Sequence, residues 1–376
     1  MKILKIITAL GIGGAELLLA DVCSVLSAEH EVTIIYLKNL TALKPRIESF
    51  GIRTIFIDLD KNGFLSSVFK IKKIIKNDGY DIVHTHLPAA DTIGRLAAIL
   101  AGKTTVFSSI HSMDEWKDER RFAFTLLKIF NRFTVNRFKR VFLIAVSECV
   151  KNFCVDAERI SPKKIFVILN FCNYDISAKT SPDFNPATFK KDGIFTMLSV
   201  GRLEKLKGHI FLLRAMNELV NRRGHKNISL TMIGDGHMKD KYLDYVFSQN
   251  LTNYVSIKGF EKNVFDYMKH ADLFVSTSIR EGFGIAILEA CYWKIPILAS
   301  DIDVTTEILT DNESGILFKC EQYMDLADKI ELFINKEFDV EHLTKNAHEV
   351  SLSLSKEKHI KKLLELYEQA CLNRPH

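Results

Sequence analysis

The chain has 376 residues, 47% of them hydrophobic and 26% charged, which fits an ordinary globular protein of two domains. Its seven scattered cysteines and short apolar N-terminal stretch argue against a disulfide framework, a signal peptide and a membrane span, so we expect a cytoplasmic protein, soluble or peripheral to a membrane. The net charge of +5 is unevenly distributed: residues 1–180 contain 26 Lys and Arg against 18 Asp and Glu, and residues 181–376 contain 25 against 28. We therefore expect the first half to face an acidic partner.

The first half alternates strand-like and helix-like segments. Strands are predicted at Lys2–Leu10, Glu31–Leu37, Thr54–Asp58, Ile82–Thr85, Thr104–Ile110, Val141–Val146 and Lys164–Ile168. Helices are predicted at Ala15–Ser27, Phe64–Asn77, Thr92–Ala101 and Asp114–Arg137. This alternation predicts a parallel sheet covered by helices on both faces.

A linker-like stretch with two prolines, Ser177–Gly193, precedes a second alternating half. Further strands are predicted at Phe195–Val200, Ser229–Ile233, Val255–Lys258, Leu273–Ser276 and Ile297–Ala299, and helices at Ile285–Trp293 and within Glu341–Gln369. We therefore predict an α/β fold of two doubly wound, Rossmann-like domains facing across a cleft. The first covers 1–176, the linker 177–193 and the second 194–376, with the last helices packing back on the first domain. Ligands of such sheets bind beyond the carboxyl ends of the strands.

The most informative segment runs from Glu281 to Glu289 around Gly-Phe-Gly at 282–284. It links a buried strand to a helix, and the unpaired backbone N–H groups and the dipole at that helix start favour a phosphate. Glu281 precedes the helix and Glu289 lies one to two turns into it, so both carboxylates can face the same anion. A surface turn followed by a helix with an ordinary glutamate is the alternative.

Two cations, Arg202 and Lys207, follow the strand Phe195–Val200 across a turn that contains glycine. Both can converge on one diphosphate, although an isolated basic loop is usually just solvated. The next two strands end in Gly-Asp-Gly at 234–236 and Gly-Phe-Glu at 259–261. These segments either admit a ligand or only turn the chain.

After the first strand, Gly11, Gly13 and Gly14 are followed by Glu16. A dinucleotide-binding G-x-G-x-x-G pattern requires glycine at position 16, so a dehydrogenase is disfavoured. The stretch either brings backbone amides to a ligand or makes a tight βα turn.

His84 and His86 lie at the end of one predicted strand, and His111 follows the next. No Cys or carboxylate completes a spaced ligand set, so we do not expect zinc. Buried, hydrogen-bonded histidines are the alternative to a functional role.

Together these segments resemble the retaining GT-B glycosyltransferases of family 4. Residues 200–208 read V-G-R-L-E-K-L-K-G, residues 234–236 G-D-G, residues 259–260 G-F and residues 281–290 E-G-F-G-I-A-I-L-E-A, in the order and spacing of that family's donor domain. Residues 13–16 are similar to its G-G-A-E loop. The resemblance implies an acceptor-binding first domain and a nucleotide-sugar-binding second domain.

The resemblance also implies a role for each matching residue. Arg202 and Lys207 would neutralise the donor diphosphate, Glu281 would contact hydroxyls of the transferred sugar, and His111 would face that sugar; these four form the implied catalytic set. Glu289 would hold the nucleotide ribose. The other implied donor contacts are Gly13, Gly14, Gly234, Phe260, Glu261, Phe283, Gly284 and Ile285. No metal or other cofactor is expected, because two cations and a helix start already meet the diphosphate.

On the acceptor side, the resemblance points to Glu16, His86, Ser147 and Asn170. Ser147 matches the first residue of the family's S-E pair, and Asn170 matches the start of its N-G-[VI]-D segment. The chain departs from that last pattern directly after Asn170, where Phe171 replaces glycine.

Residues 116–140 place Phe and Leu among Arg and Lys at helical spacing. Such a helix suits the surface of an anionic membrane and would hold the protein at the inner face of the cytoplasmic membrane. A core helix with solvated charges is an equal alternative. RNA binding is a weaker one, since no nucleic-acid module is evident.

The sequence thus predicts a metal-independent, retaining glycosyltransferase. It would move a sugar from a nucleotide-diphosphate donor, a UDP-sugar on family frequency, to a lipid-linked glycan in bacterial capsule, O-antigen or exopolysaccharide synthesis. Glu281 is not assigned as a nucleophile, because the family is thought to use same-face attack in which the departing diphosphate takes the acceptor's proton. A sugar-nucleotide epimerase, a phosphorylase or a non-catalytic nucleotide-sugar-binding scaffold are the alternatives.

Overall fold

A computed structural model describes residues 1–102, 104–113, 122–172, 184–261 and 263–372, without the side chains of 122–127. The chain forms two compact units, Met1–Phe171 with Lys356–His376, and Cys172–Ser355. The predicted domain boundary at residue 176 and the first part of the predicted linker, 177–183, lie outside the described residues.

The first unit is a parallel sheet with helices between its strands. The strands are β1 (Lys2–Ile7), β2 (Glu31–Tyr36), β3 (Arg53–Phe56), β4 (Ile82–His86), β5 (Thr105–Ile110), β6 (Val141–Ala145) and β7 (Ile165–Val167). The helices are α1 (Gly14–Leu26), α2 (Lys44–Glu48), α3 (Leu59–Asp78), α4 (Pro88–Ala101), α5 (Phe122–Arg137) and α6 (Glu148–Asp156), with a 3₁₀ turn at Pro162–Lys164.

The strand order of this sheet is β3-β2-β1-β4-β5-β6-β7, and every pair is parallel. Strand β1 reads KILKII and is buried at all positions but the first, as a parallel sheet covered on both faces requires. The order reverses between β1 and β4, which places a topological switch point at the carboxyl ends of these two strands.

The second unit repeats this design. Its strands are β8 (Phe195–Val200), β9 (Ile228–Ile233), β10 (Val255–Lys258), β11 (Leu273–Ser276), β12 (Ile297–Asp301) and β13 (Ile316–Lys319), in the order β10-β9-β8-β11-β12-β13. Its helices are α7 (Pro186–Phe189), α8 (His209–Asn217), α9 (Lys239–Ser248), α10 (Phe265–Met268), α11 (Ile285–Tyr292), α12 (Asp303–Thr306), α13 (Tyr323–Ile334) and α14 (Val340–Ser353), with a 3₁₀ turn at Lys205–Lys207 and a π turn at Glu218–Arg222. The switch point here lies between β8 and β11.

The core of the second unit forms where the apolar stripe of α8 meets the sheet. Leu212 and Met216, one helical turn apart, are fully buried in one cluster with Met197 of β8 and Ile330 of α13. This spacing is the reason the segment folds as a helix with one face inward.

The last helix, α15 (Lys356–Leu372), belongs to the first unit. Its Tyr367 is completely buried, and the hydroxyl accepts a hydrogen bond from Lys5 Nζ of β1 at 2.8 Å. Leu363 and Leu366 are also buried. Within the described part of the chain, no helix is long and apolar enough to cross a membrane.

Several predicted boundaries differ from the structure. Strand β1 ends at Ile7 instead of Leu10, because the chain leaves the sheet and Leu10 N–H donates to the Leu40 carbonyl oxygen at 2.8 Å. The sequence did not predict β13 or the helices α2, α6, α7, α12 and α13, and α7 lies within the predicted linker. Of the predicted helix 114–137, residues 114–121 lie outside the described residues and the remainder is α5.

Candidate functional site

The candidate site of the second unit lies at its switch point. One loop, residues 201–208, follows β8, and another, residues 277–284, follows β11. Ligands of doubly wound sheets bind beyond the carboxyl ends of strands at such a reversal. The two loops contain Arg202, Lys207 and Glu281.

Lys207 ends a 3₁₀ turn that the neighbouring loop holds in place. Thr277 Oγ1 donates to the Lys207 carbonyl oxygen at 3.0 Å, and Ile279 N–H donates to the Leu206 carbonyl oxygen at 2.8 Å. Gly208 follows with φ +63°, and a Cβ there would lie 1.9 Å from the Thr277 carbonyl oxygen. Glycine is therefore required at position 208, and this close approach fixes where the Lys207 side chain starts.

The side chains of Lys207 and Glu281 form an ion pair. Glu281 Oε1 also accepts a hydrogen bond from Ser278 Oγ at 2.8 Å. The lysine side chain is 22% exposed and the glutamate 15%, so the pair is shielded but reachable. An ammonium group has three donors, so Lys207 keeps donors for an anion while Glu281 places a negative charge beside it. Two residues of the predicted catalytic set therefore meet.

Arg202 begins the same loop but contacts a different carboxylate. Its Nη1 lies 2.7 Å from Glu204 Oε1, and the arginine side chain is 67% exposed. Among the described residues, no ion pair or hydrogen bond joins Arg202 to Lys207 or Glu281. The structure thus does not bring the two predicted diphosphate cations into contact, although the exposed guanidinium retains donors for an anion.

Gly234 and Gly236 pack the loop after β9 against the loop after β8. A Cβ on Gly234 would lie 1.9 Å from the Gly201 carbonyl oxygen, and one on Gly236 would lie 2.5 Å from that of Leu203. Leu203 N–H donates to the Asp235 carbonyl oxygen at 2.8 Å. Backbone packing accounts for both glycines, and the ligand contact of Gly234 stays a prediction.

Phe260 and Glu261 follow β10, two strands away from β8. Phe260 is 58% exposed, and Glu261 Oε1 lies 4.0 Å from Lys258 Nζ. The predicted contacts of Phe260 and Glu261 with the donor therefore stay predictions. The exposed phenyl ring offers an apolar face at the edge of the site.

Helix α11 starts directly after the second loop. Gly284 precedes it with φ +88°, and Phe283 is buried and anchors the turn. The backbone N–H of Ile285 belongs to the first turn, whose donors have no intrahelical acceptor. The side-chain carboxyl of Glu289 has no hydrogen-bond or ion-pair partner within the described ranges, and burial raises its pKa from 4.5 to about 7. Such a carboxyl is available to accept hydrogen bonds from hydroxyl groups.

The corresponding edge of the first unit begins with the turn between β1 and α1. The Glu16 side chain folds back over Gly13, where a Cβ would lie 2.4 Å from Glu16 Oε2. Gly14 is the first residue of α1, so its N–H has no acceptor within the helix. Glycine at position 13 thus makes room for the Glu16 carboxylate.

His86, at the end of β4, and His111, after β5, face each other. His86 Nδ1 lies 3.2 Å from His111 Nε2, and His86 Nε2 is buried with no partner among the described residues. Burial, reinforced by the nearby His359 and Lys5, lowers the pKa of His111 to about 4. Burial likewise places the pKa of His86 well below its usual value, so both rings are neutral near pH 7.

His84 is held by a separate buried network. Its Nε2 lies 2.7 Å from Ser109 Oγ, and its Nδ1 contacts both Lys5 Nζ, at 2.8 Å, and the Tyr367 hydroxyl. Burial lowers the pKa of Lys5 to about 8. Sequence reasoning missed Lys5, Ser109 and Tyr367, although a lysine within the apolar run of β1 is a visible signal.

A cavity of about 30 Å³ adjoins these histidines. Its wall includes His86, His111, Asn170 and His359. This volume holds one or two water molecules and no sugar. Three sequence-predicted residues, His86, His111 and Asn170, therefore share one small cavity of the first unit, whose other lining residues are mostly aliphatic.

Ser147 has a local structural role. Its Oγ accepts the Val150 N–H at 3.1 Å and caps the start of α6, which stabilises the helix. Residues 173–175, where the sequence departs further from the family pattern, lie outside the described residues. The acceptor roles of Ser147 and Asn170 stay predictions.

Helix α5 holds the described part of the predicted membrane segment, of which 116–121 lie outside the described residues. Ile129 is 58% exposed and Phe133 57%, and Arg132 and Arg137 are exposed on the same face. The buried residues of α5 include Asn131. The exposed face of this helix is thus apolar and basic, its other face is buried, and its contact with a membrane stays a prediction.

Two family models match the chain, "Glycosyltransferase Family 4" over residues 12–175 and "Glycosyl transferases group 1" over residues 181–350. An Escherichia coli protein, UDP-Gal:alpha-D-GlcNAc-diphosphoundecaprenol alpha-1,3-galactosyltransferase, is 26% identical over 284 residues, which are 74% of this chain and 72% of that protein. A Campylobacter jejuni GalNAc-alpha-(1->4)-GalNAc-alpha-(1->3)-diNAcBac-PP-undecaprenol alpha-1,4-N-acetyl-D-galactosaminyltransferase is 27% identical over 356 residues, 92% of each chain.

Solved structures show the same fold. The crystal structure of Anabaena HepE with UDP-glucose matches with a TM-score of 0.84 at 20% identity, covering 98% of this chain and 100% of that one. The lipopolysaccharide outer core galactosyltransferase WaaB matches with a TM-score of 0.71 at 21% identity, with the same coverage. The predicted fold class, two doubly wound Rossmann-like domains of the GT-B type, is confirmed.

Proposed function

Since the chain belongs to the GT-B glycosyltransferases described by the family 4 and group 1 models, we propose that it transfers a sugar from a UDP-sugar to a lipid-linked glycan, with retention at the anomeric carbon. The acceptor class is supported by the names of the Escherichia coli and Campylobacter jejuni relatives, both of which specify an undecaprenol diphosphate. UDP is supported by the name of the first relative and by the HepE complex. We assign the product to bacterial surface polysaccharide synthesis on the same grounds.

The observation that carries this proposal is the Lys207–Glu281 pair at the switch point of the second sheet. Lys207 offers its remaining donors to a diphosphate, and the first turn of α11 offers backbone N–H groups. Positive charge placed where the leaving diphosphate gains negative charge lowers the barrier to its departure. Arg202 adds an exposed guanidinium that can contact the same anion.

Glu281 is suited to orienting the sugar. Its Oε1 already accepts from Lys207 and Ser278, which leaves Oε2 to accept from sugar hydroxyls. We therefore propose same-face attack, in which the departing diphosphate takes the acceptor's proton and Glu281 forms no covalent bond. Glu289 would accept from the ribose hydroxyls.

The proposal includes no metal or other cofactor, because Lys207, Arg202 and the start of α11 supply the positive charge that a diphosphate requires. In the first unit, His111 would donate to the transferred sugar, and Glu16, His86 and Asn170 would serve the acceptor. The apolar and basic face of α5 would hold the enzyme on the inner surface of the cytoplasmic membrane.

The test is a transfer assay with purified protein, UDP-sugars and an undecaprenyl-diphosphate-linked monosaccharide, with and without EDTA. We expect a glycosylated lipid by mass spectrometry, an α linkage by proton coupling constants, and a rate unchanged by EDTA. UDP binding without transfer would indicate the scaffold instead, and release of a free epimerised sugar would indicate an epimerase. Lys207→Ala should lower kcat/KM on the order of 100-fold.

A further inference from the structure

Helix α3 carries three large apolar side chains that the core does not use. Phe64 is 42% exposed, Leu65 65% and Phe69 57%. Other side chains of this helix, including Val68 and Ile71, are buried, and Leu65 and Phe69 point away from Ile71. A cluster of exposed large apolar side chains on one helix indicates an interaction surface.

Lysines surround this cluster on the same helix. Lys70, Lys73 and Lys76 are exposed, and Lys72 Nζ lies 5.8 Å from the centroid of the Phe69 ring. Leu65, Phe69, Lys73 and Lys76 follow each other at three- and four-residue steps, so they share one face. The helix therefore presents apolar groups toward its start and positive charge toward its end.

Helix α5 extends the same surface. Right-handed crossovers place α3, α4 and α5 on one face of the first sheet, and both α3 and α5 contact α4. The exposed Ile129 and Phe133 of α5 lie beside Arg132 and Arg137 on its outer face. Helices α3 and α5, which both contact α4, thus share one composition, exposed apolar side chains interleaved with cations.

We propose that α3 is a docking site for an anionic lipid bilayer and that it forms, with α5, one membrane-facing surface of the first unit. Aromatic and aliphatic side chains would enter the boundary between headgroups and acyl chains, and the lysines would meet the anionic headgroups. A protein partner fits less well, because the buried centres of protein interfaces are depleted in lysine. The sequence reading assigned no such role to α3.

The charge component is tested by replacing Lys70, Lys73 and Lys76 with Gln and measuring co-sedimentation with vesicles of phosphatidylcholine, with and without phosphatidylglycerol. Each lysine near an anionic surface strengthens binding about fivefold, so the triple variant should bind the anionic vesicles on the order of 100-fold more weakly. The matched control replaces three exposed lysines of the second unit, Lys191, Lys241 and Lys345, and should bind like wild type. Equal binding by both triple variants would overturn the proposal.

The apolar component is tested with a tryptophan in place of Phe69, in a protein whose two native tryptophans, Trp116 and Trp293, are replaced by Phe. The control variant is made in the same background. The emission of the Phe69→Trp variant should shift to the blue on adding anionic vesicles and should be quenched by brominated acyl chains. The control is Phe247→Trp on α9, where the native side chain is 77% exposed; it should show neither change. If Phe69→Trp shows neither change, α3 does not enter the bilayer and the proposal is wrong. If Leu65→Ser changes the sedimentation coefficient of the lipid-free protein but not its lipid binding, the surface binds another partner instead. UDP binding without lipid is measured in parallel, so a failure of docking is distinguished from a failure of the proposed transferase activity.

Discussion

Replacing Glu281 with Gln should tighten UDP binding while it slows transfer. In the structure the carboxylate neutralises Lys207 and accepts from Ser278. Gln keeps an oxygen acceptor of the same shape for both donors but removes the negative charge. UDP would then meet a lysine whose charge is not offset.

The size of the expected change in the Kd for UDP follows from the geometry, in which the Lys207 ammonium group lies between two anions, the Glu281 carboxylate and the bound phosphate. With hydrogen bonds of about 2.8 Å on either side of Nζ, a bound phosphate oxygen would lie about 5 Å from the carboxylate. Two unit charges at about 5 Å repel by roughly 2–3 kcal/mol at an effective dielectric constant of about 20–40. Since both side chains are partly exposed, we expect about 1–2 kcal/mol, which is about a 5- to 30-fold lower Kd for UDP.

Isothermal titration of UDP into both forms measures this change. Lys207→Gln should weaken binding, and the double variant should show that the two effects are coupled. A matched control is Asp272→Asn, which removes the carboxylate of the Lys190–Asp272 pair at the opposite, amino end of β11 and should leave Kd unchanged. An unchanged or higher Kd for Glu281→Gln would refute the placement of the diphosphate beside Lys207.

Three further perturbations test the structure. Gly208→Ala should lower the free energy of unfolding by several kcal/mol, because the new Cβ would lie 1.9 Å from the Thr277 carbonyl oxygen. The control Gly224→Ala has φ +80° but open space around it, so it should cost only about 1 kcal/mol of backbone strain. Urea unfolding measures both. The raised pKa of Glu289, about 7, means that the folded state binds its proton more tightly than the unfolded state. Wild type should therefore lose stability relative to Glu289→Gln, on the order of 2 kcal/mol, as pH rises from about 4.5 to 7, measured by Tm. Tyr367→Phe removes an acceptor from the buried Lys5 Nζ and should destabilise the first unit by about 1–3 kcal/mol, measured by hydrogen exchange.

The loops that carry the candidate site of the second unit were predictable in position because their sequence signals are local. Each signal, a glycine turn between a strand and a helix or cations directly after a strand, can be recognised within about ten residues of sequence. The pairing of Lys207 with Glu281 was not predictable, since it joins residues 74 positions apart and depends on β8 and β11 being neighbours. Arg202 contacts Glu204, only two residues away, and its predicted convergence with Lys207 on one diphosphate stays a prediction.

In the first unit, the decisive contacts are longer in range. The Lys5–Tyr367 hydrogen bond joins residues 362 positions apart and forms only because α15 packs against the first sheet. Helix α3 was predicted as a helix, but which of its faces is covered depends on α4, so the exposure of Phe69 could not be read from its spacing. By contrast, α13 was missed despite a legible stripe of Leu326, Ile330 and Phe333.

The strand ends of the second unit carry charged side chains, whereas those of the first unit carry the neutral pair His86 and His111. The position of the protons on this pair determines whether His111 can donate a hydrogen bond. Burial keeps His86 and His111 neutral, so their 3.2 Å contact needs one donor and one acceptor. His86 Nε2 has no partner in the described part of the chain, and a buried N–H without an acceptor is rarer than an unpaired acceptor. We therefore place the His86 proton on Nδ1, where it donates to His111 Nε2. With this assignment His111 carries its proton on Nδ1, and we predict that it acts in the proposed reaction as a hydrogen-bond donor to a sugar oxygen, not as a base.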